Sequence, residues 1–231
     1  AEYSPTETRY KQAIHDLDKA RSFDFNCDDK GNIDDLLLKK AIAYFARAEF
    51  SPNQSDYEQA INDLDGFINR YPTNVEAYYK RAMAYLALAK YSSDPDYSKK
   101  AIHDLDKVLE LDPTATDVYY YKAKAFDGLD QYEDAIVILD KILDLDSADA
   151  NTYAARGVAY DGLGQYDLAI KDFDKAIKLN PAEPINYNRR GKAYHGLGEY
   201  ETAIKSFDKA IELSPTEAIT YNDRGGAYHY L

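Results

Sequence analysis

The sequence predicts an all-α solenoid of stacked helical hairpins, and three observations carry that prediction. The stretch GLGQYDLAIKDFDKAIKLNP at residues 162–181 returns as GLGEYETAIKSFDKAIELSP at 196–215. An Ala-Ile pair recurs at Ala13-Ile14, Ala60-Ile61, Ala101-Ile102, Ala135-Ile136, Ala169-Ile170 and Ala203-Ile204. Tyrosine, present 23 times, falls at fixed places around those pairs. Such a period marks hairpins that cannot bury their apolar faces singly and do so by stacking.

Each Ala-Ile pair lies in the second helix of a hairpin. A bulky apolar residue follows each Ala by one turn, at Leu17, Leu64, Leu105, Leu139, Phe173 and Phe207. Another comes three residues later, at Ala20, Phe67, Val108, Ile142, Ala176 and Ala210, so one face is apolar. Pro72, Pro113, Pro181 and Pro215 then punctuate the ends, where a helix cannot continue.

The first helix carries its own ladder. Tyr78, Tyr119, Tyr153, Tyr187 and Tyr221 open it, and Tyr85, Phe126, Tyr160, Tyr194 and Tyr228 follow two turns later on the same face. Between them one place is always small: Ala41, Ala82, Ala123, Gly157, Gly191 and Gly225. A glycine inside a helix costs about 1 kcal/mol against alanine, so its use at one repeated place points to a contact with no room for a methyl group. A third set, Tyr10, Tyr57, Tyr132, Tyr166 and Tyr200, marks the start of the second helix.

These residues closely resemble the tetratricopeptide repeat (TPR) family, whose 34-residue pattern has small residues, tyrosines and a proline at the same relative places. Residues 116–149, 150–183 and 184–217 match it in length, and 34–74 and 75–115 match with insertions. Residues 6–33 read as a partial N-terminal repeat with a linker, and 218–231 as a partial C-terminal one. The resemblance implies that residues 1–231 form a single right-handed superhelical solenoid of helix-turn-helix repeats. The chain departs from the family at the seventh place. Leucine is common there, and this chain has Lys40, Arg81, Lys122, Arg156, Arg190 and Arg224.

The insertions, residues 51–56 and 91–97, have the composition of exposed turns. The two terminal half-repeats leave Tyr228, Tyr230 and Leu231 near an open end. That pattern fits a piece of a longer array, an adaptor segment of a larger enzyme, or end-to-end self-association.

Composition narrows the function. A net charge of −13 argues against a phosphate-binding surface, so no nucleic-acid partner is expected. No apolar run is long enough to insert in a membrane. Cys27 is alone, so no internal disulfide forms, and a cytoplasmic setting fits. Because the chain starts at Ala1, an exported or periplasmic setting with a leader removed is the alternative.

No chemistry-bearing constellation emerges. Residues 24–35 alternate acidic and amide residues but place Asp29 and Asp35 where a calcium loop wants Gly and Glu, so they read as an acidic linker. The pairs Asp16/Asp18 and Asp104/Asp106 point about 200° apart on a helix and read as a solvated face paired with lysines. Gly162-Leu-Gly164 and Gly196-Leu-Gly198 lack the strand and the Lys-Ser/Thr of a phosphate loop and read as turns. His15, His103, His195 and His229 have no ligand spacing. The expectation is a non-catalytic scaffold without cofactor or metal.

In the resembled family the first helices line a concave groove that holds an extended peptide or a helix of another protein. That geometry assigns Leu38, Ile42, Phe45, Tyr79, Met83 and Leu86 to an apolar part of the groove. Tyr120, Tyr121, Lys124 and Asp127 follow, then a polar, partly basic part of Asn188, Arg189, Lys192, His195, Asn222 and His229. Asn188, Arg189, Lys192 and Asn222 match the residue types of the family's carboxylate clamp but not its positions. An acidic segment is therefore the expected ligand of that patch rather than a chaperone terminus.

Overall fold

The computed structural model describes residues 5–22, 30–92, 94–115, 117–145 and 149–231. Among them lie twelve helices and no strand: α1 (Pro5–Ser22), α2 (Lys30–Phe50), α3 (Gln54–Arg70), α4 (Val75–Ala89), α5 (Pro95–Leu111), α6 (Asp117–Asp127), α7 (Tyr132–Leu145), α8 (Ala150–Gly162), α9 (Tyr166–Leu179), α10 (Pro184–Gly196), α11 (Tyr200–Leu213) and α12 (Ala218–His229). They form two compact units, residues 1–118 and 119–231. In the first, α2 with α3 and α4 with α5 make hairpins, with α1 packed on α2 and α3 on α4. In the second, α8 with α9 and α10 with α11 make hairpins, with α7 on α8, α9 on α10 and α11 on α12.

Helix boundaries follow from capping. Asn74 Oδ1 accepts from the Ala77 N–H at 2.8 Å, and Asp149 accepts from the N–H groups of Asn151 and Thr152 at 3.0 and 3.2 Å. Each relieves orphan donors of a first turn. Pro72, Pro113, Pro181 and Pro215 each sit two residues past a second helix, as predicted. The tyrosine opening the next helix ties two of these turns down, since Tyr187 and Tyr221 donate to the carbonyls of Pro181 and Pro215 at 3.1 Å. Gly164 and Gly198 take positive φ of 70° and 79° in the hairpin turns, and Asp130 holds the equivalent place with φ 56°.

The predicted apolar faces form the cores. Leu64, Leu105, Leu139, Phe173 and Phe207 are fully buried. Gly157 and Gly191 are small because a ring lies on them. A Cβ there would sit 2.7 Å from Phe173 Cε1 and 2.6 Å from Phe207 Cε1. Where the second helix carries leucine instead, at Leu64, Leu105 and Leu139, the small residue is alanine, at Ala41, Ala82 and Ala123.

At the seventh place, Lys40, Arg81, Arg156 and Arg190 are clasps between helices. Arg156 puts Nε and Nη2 on the carboxylate of Asp172, 2.7 and 2.8 Å away in its own hairpin, and Nη1 on Asp140 of the preceding helix at 2.6 Å. Arg81 does the same with Asp104 at 2.8 and 2.7 Å and Asp65 at 2.6 Å. Arg190 reaches Ser206 at 3.3 Å and Asp174 at 2.6 Å, and Lys40 lies 2.6 Å from Asp18 and 3.9 Å from Asp63. A planar guanidinium suits this double duty because its fork is bidentate on one edge and has donors left on the other.

Three expectations are corrected here. Asp104 is no solvated face residue: it is 1% exposed and held by Arg81. The two carboxylates of an Asp-x-Asp step point apart because they serve successive arginines, Asp172 that of its own hairpin and Asp174 that of the next. The insertions are not loops of six exposed residues either. Asn53 and Asp94 cap α3 and α5 early, at 3.0 and 2.9 Å, so residues 54–56 and 95–97 are helical. Asp56 is buried under the Arg47 guanidinium at 2.6 and 2.5 Å, and Tyr97 packs on Tyr85 with ring centroids 6.3 Å apart. Of the acidic stretch 24–35, residues 24–29 lie outside the described residues, and residues 30–35 begin α2 rather than continuing a linker.

Candidate functional site

The groove residues divide by unit. In the first, Leu38, Ile42, Tyr79, Met83 and Leu86 are half-buried on first helices. Phe45 belongs to the core instead: it is buried edge-on against Tyr57, centroids 5.8 Å apart, with the Lys80 ammonium 5.3 Å above its ring.

In the second unit, α6, α8 and α10 line an open cavity of about 300 Å³. Tyr120, Lys124 and Asp127 enter from α6, Asn151, Ala155 and Val158 from α8, and Ile185, Asn186 and Arg189 from α10, with Glu183 at the rim. The fold thus brings together Tyr120, Lys124, Asp127 and Arg189, four of the predicted lining residues. Tyr121 stands beside them, edge-on to Tyr120 at 5.6 Å.

The electrostatics of this cavity are unsettled in a specific way. Arg189 has no hydrogen bond or ion pair among the described residues, unlike the clasp arginines. Burial pulls its pKa below the ordinary value, against the opposing fields of Tyr120, Asp127 and Glu183. Burial likewise pushes the Asp127 carboxyl up, with Arg189 opposing, and raises the Tyr120 phenol. Asn186 is 4% exposed, and its side-chain carbonyl is buried without a donor. A buried acceptor left unpaired costs about 1–3 kcal/mol, and the Arg189 guanidinium leaves the cavity wall with an unmet donor set.

A second depression of about 400 Å³ is lined by Lys192, His195, Asn222, Asp161 and Tyr230 among others. His195 sits edge-on to Tyr200 and Tyr230, at 5.2 and 5.6 Å, and those two rings stack at 5.4 Å. Burial raises the Asp161 carboxyl, with Lys192 opposing. His229 is exposed and edge-on to Tyr230 at 5.4 Å. Asn188 does not line the groove. It is buried between α10 and α12, donating to Thr220 Oγ1 at 3.3 Å and Asp223 Oδ2 at 3.0 Å.

Asn151, Ala155 and Val158 hold the same register on α8 as the named residues on α6 and α10, and that spacing was the signal for them. Asn186 lies outside the register and shows itself only through burial.

Among the described residues no helix is long and apolar enough to cross a membrane, and no group of three His, Cys, Asp or Glu side chains is placed to hold a metal ion. Two tetratricopeptide repeat profiles match the chain, one at residues 150–182 and 186–217, the other at 35–74 and 117–147, together more than half of its length. The chain is similar to a MamA fragment from Desulfovibrio magneticus RS-1, with 25% identity and TM-score 0.64, covering 79% of this chain and 97% of that one. A crystal structure of a MamA protein matches at 28% identity and TM-score 0.58, covering 77% and 93%. TTC0263, a TPR protein of Thermus thermophilus, shares the fold at 18% identity and TM-score 0.63, covering 85% and 99%. No curated protein matches the chain. The period, the ring-on-small-residue contacts, the helix-only architecture and these likenesses agree, and the chain belongs to the tetratricopeptide repeat family.

Proposed function

We propose that the chain is a non-catalytic protein-interaction scaffold that binds an extended peptide segment through its first helices, with an acidic side chain anchored at Arg189. The observation that carries this reading is the half-buried Arg189 guanidinium, without a hydrogen-bonded partner, on the wall of the α6–α8–α10 cavity. A peptide with an acidic side chain brings the missing partner, a carboxylate for Arg189. Tyr120, Tyr121 and Lys124 flank that anchor, and Lys192, His195, Asn222 and His229 continue the polar surface. In the first unit, Leu38, Ile42, Tyr79, Met83 and Leu86 offer a separate apolar row for side chains of a ligand. Aromatic and apolar anchors suit such a surface because they lose little rotamer freedom on binding. The protein partner is neither nucleic acid nor membrane lipid.

The test is selection of displayed random peptides of about twelve residues on the immobilised full chain. Selected peptides are expected to carry Asp or Glu and to lose about ten- to a hundredfold in affinity for Arg189→Ala, the size of a charge-assisted hydrogen bond. Peptides without an acidic residue, or equal binding to Arg189→Ala, overturn the reading.

A further inference from the structure

We infer that the acidic residue met by Arg189 is read together with a phenylalanine or leucine two positions away in the same extended segment, whose side chain enters an alanine-floored notch over α8. The inference rests on the peptide reading above and supplies the second half of the recognised sequence.

The notch follows from the repeat register. α6 carries Tyr120-Tyr121 and α10 carries Asn188-Arg189, while α8, one repeat from each, carries Ala154-Ala155 at the same place. The middle helix therefore stands low between two taller neighbours, and the cavity opens above it. Small residues elsewhere serve close approach, as at Gly157 under the Phe173 ring. Ala154 and Ala155 leave room instead, since about 300 Å³ remains over them. The opening reaches past the first helices to Ala135 and Leu139 of α7, both 1% exposed, whose burial marks them as its floor. An apolar cavity of about 150 Å³ takes benzene, so this one has room for a ring or a branched aliphatic side chain beside the group that meets Arg189.

The charges of the lining balance, Lys124 and Arg189 against Asp127 and Glu183, so net attraction does not hold an acidic segment here. Arg189 directs the acid through its open donors, and burial of an apolar side chain must supply the grip. Val158 adds apolar wall, and Tyr120 presents an aromatic ring that favours a second ring offset or edge-on to it.

The spacing comes from backbone geometry. In an extended chain alternate side chains face the same way, about 7 Å apart, and adjacent ones face opposite ways. Two side chains that enter one cavity are therefore an i, i+2 pair, with the acid before or after the apolar residue according to chain direction.

The test selects displayed random peptides of about twelve residues in parallel on the full chain and on its Arg189→Ala, Ala155→Leu and Val158→Thr variants, with circular dichroism to check that each folds. The wild-type pool is expected to pair Asp or Glu with Phe or Leu two positions away. Replacing that Phe or Leu by Ala in a selected peptide should weaken binding about ten- to a hundredfold by fluorescence anisotropy, the effect of burying one large apolar side chain. Ala155→Leu fills the notch with the chain's own side chain, so it should weaken the parent peptide as much and make the replacement indifferent. Val158→Thr keeps the outline of the wall but adds a hydroxyl, and should narrow the same preference. Arg189→Ala should lose the acid and keep the apolar residue. A wild-type pool without acidic residues removes the peptide reading itself. An acidic pool with no large apolar residue two positions away overturns this inference alone, as does an apolar preference undiminished by both Ala155→Leu and Val158→Thr. A pool that reproduces a stretch of this chain overturns it in favour of a second copy.

Discussion

Exchanging the glycine–phenylalanine contact of one hairpin for the alanine–leucine contact of others tests the packing rule directly. The first step, Gly157→Ala, puts a Cβ 2.7, 2.9 and 3.1 Å from Cε1, Cδ1 and Cζ of Phe173. Carbon atoms prefer about 3.5–4.0 Å, so the ring or the helix must move by most of an ångström. Phe173 is fully buried and has nowhere to retreat. Overpacking of this kind costs about 1–3 kcal/mol, offset by about 1 kcal/mol of better helix propensity. Phe173→Leu alone removes the ring from above a residue with no side chain and leaves a void, costing about 1–2 kcal/mol. Combined, the leucine vacates the space that the methyl group enters. The double variant should therefore be more stable than the sum of the singles by about 1–3 kcal/mol, the usual coupling of touching residues. Urea unfolding followed by far-UV circular dichroism gives the four free energies, fitted as coupled repeats rather than as one transition. Additivity within about 0.5 kcal/mol would refute the rule.

Three further predictions concern charge. Arg156→Ala strands the buried Asp172 carboxylate and should destabilise the chain by about 3–5 kcal/mol, whereas Arg224→Ala, whose partner Asp208 is half exposed, should cost no more than about 1 kcal/mol; equal costs in denaturant melts would contradict the clasp. Burial raises the Asp127 carboxyl in the folded chain, so the fold binds that proton better and loses stability as pH rises above the ordinary carboxylate range. Asp127→Asn should accordingly raise the melting temperature at neutral pH and not at pH about 3, and it should tighten acidic-peptide binding by removing a competitor for Arg189. The Tyr132 hydroxyl donates to Asp130 at 2.7 Å, which pushes its phenol up to about 12. The stability it contributes is present below the ordinary tyrosine range and lost as pH rises through that value. In ultraviolet titration Asp130→Asn should move one phenolate from the late-titrating set, which buried Tyr120 also joins, to lower pH.

The hairpin architecture was legible because helix faces leave a local signature: Ala169, Ile170, Phe173 and Ala176 fall within two turns and need no partner to be read. The clasps were not, since Arg156 meets Asp140 and Asp172 sixteen residues away in each direction, and only packing brings them within reach. The angle between the carboxylates of an Asp-x-Asp step was right, and the reading failed by pairing them with lysines of their own helix instead of arginines of its neighbours. At the candidate site, helix register alone finds Tyr120, Lys124 and Arg189. It misplaces Asn188, because Thr220 and Asp223 on a neighbouring first helix claim the amide, and it overlooks Asn186, whose significance is an absent partner.

The handover of arginines along the second unit has a consequence for how such a chain can grow. Asp140, Asp174 and Asp208 each stand the same distance ahead of Arg156, Arg190 and Arg224. Copying one whole period therefore delivers a newcomer whose cation finds an acceptor waiting and whose own acid greets whatever follows. A copy that broke this sixteen-residue step would strand ions at both seams, whereas extra length inside a hairpin does not, since Arg81 keeps Asp65 sixteen residues back and Asp104 23 residues on.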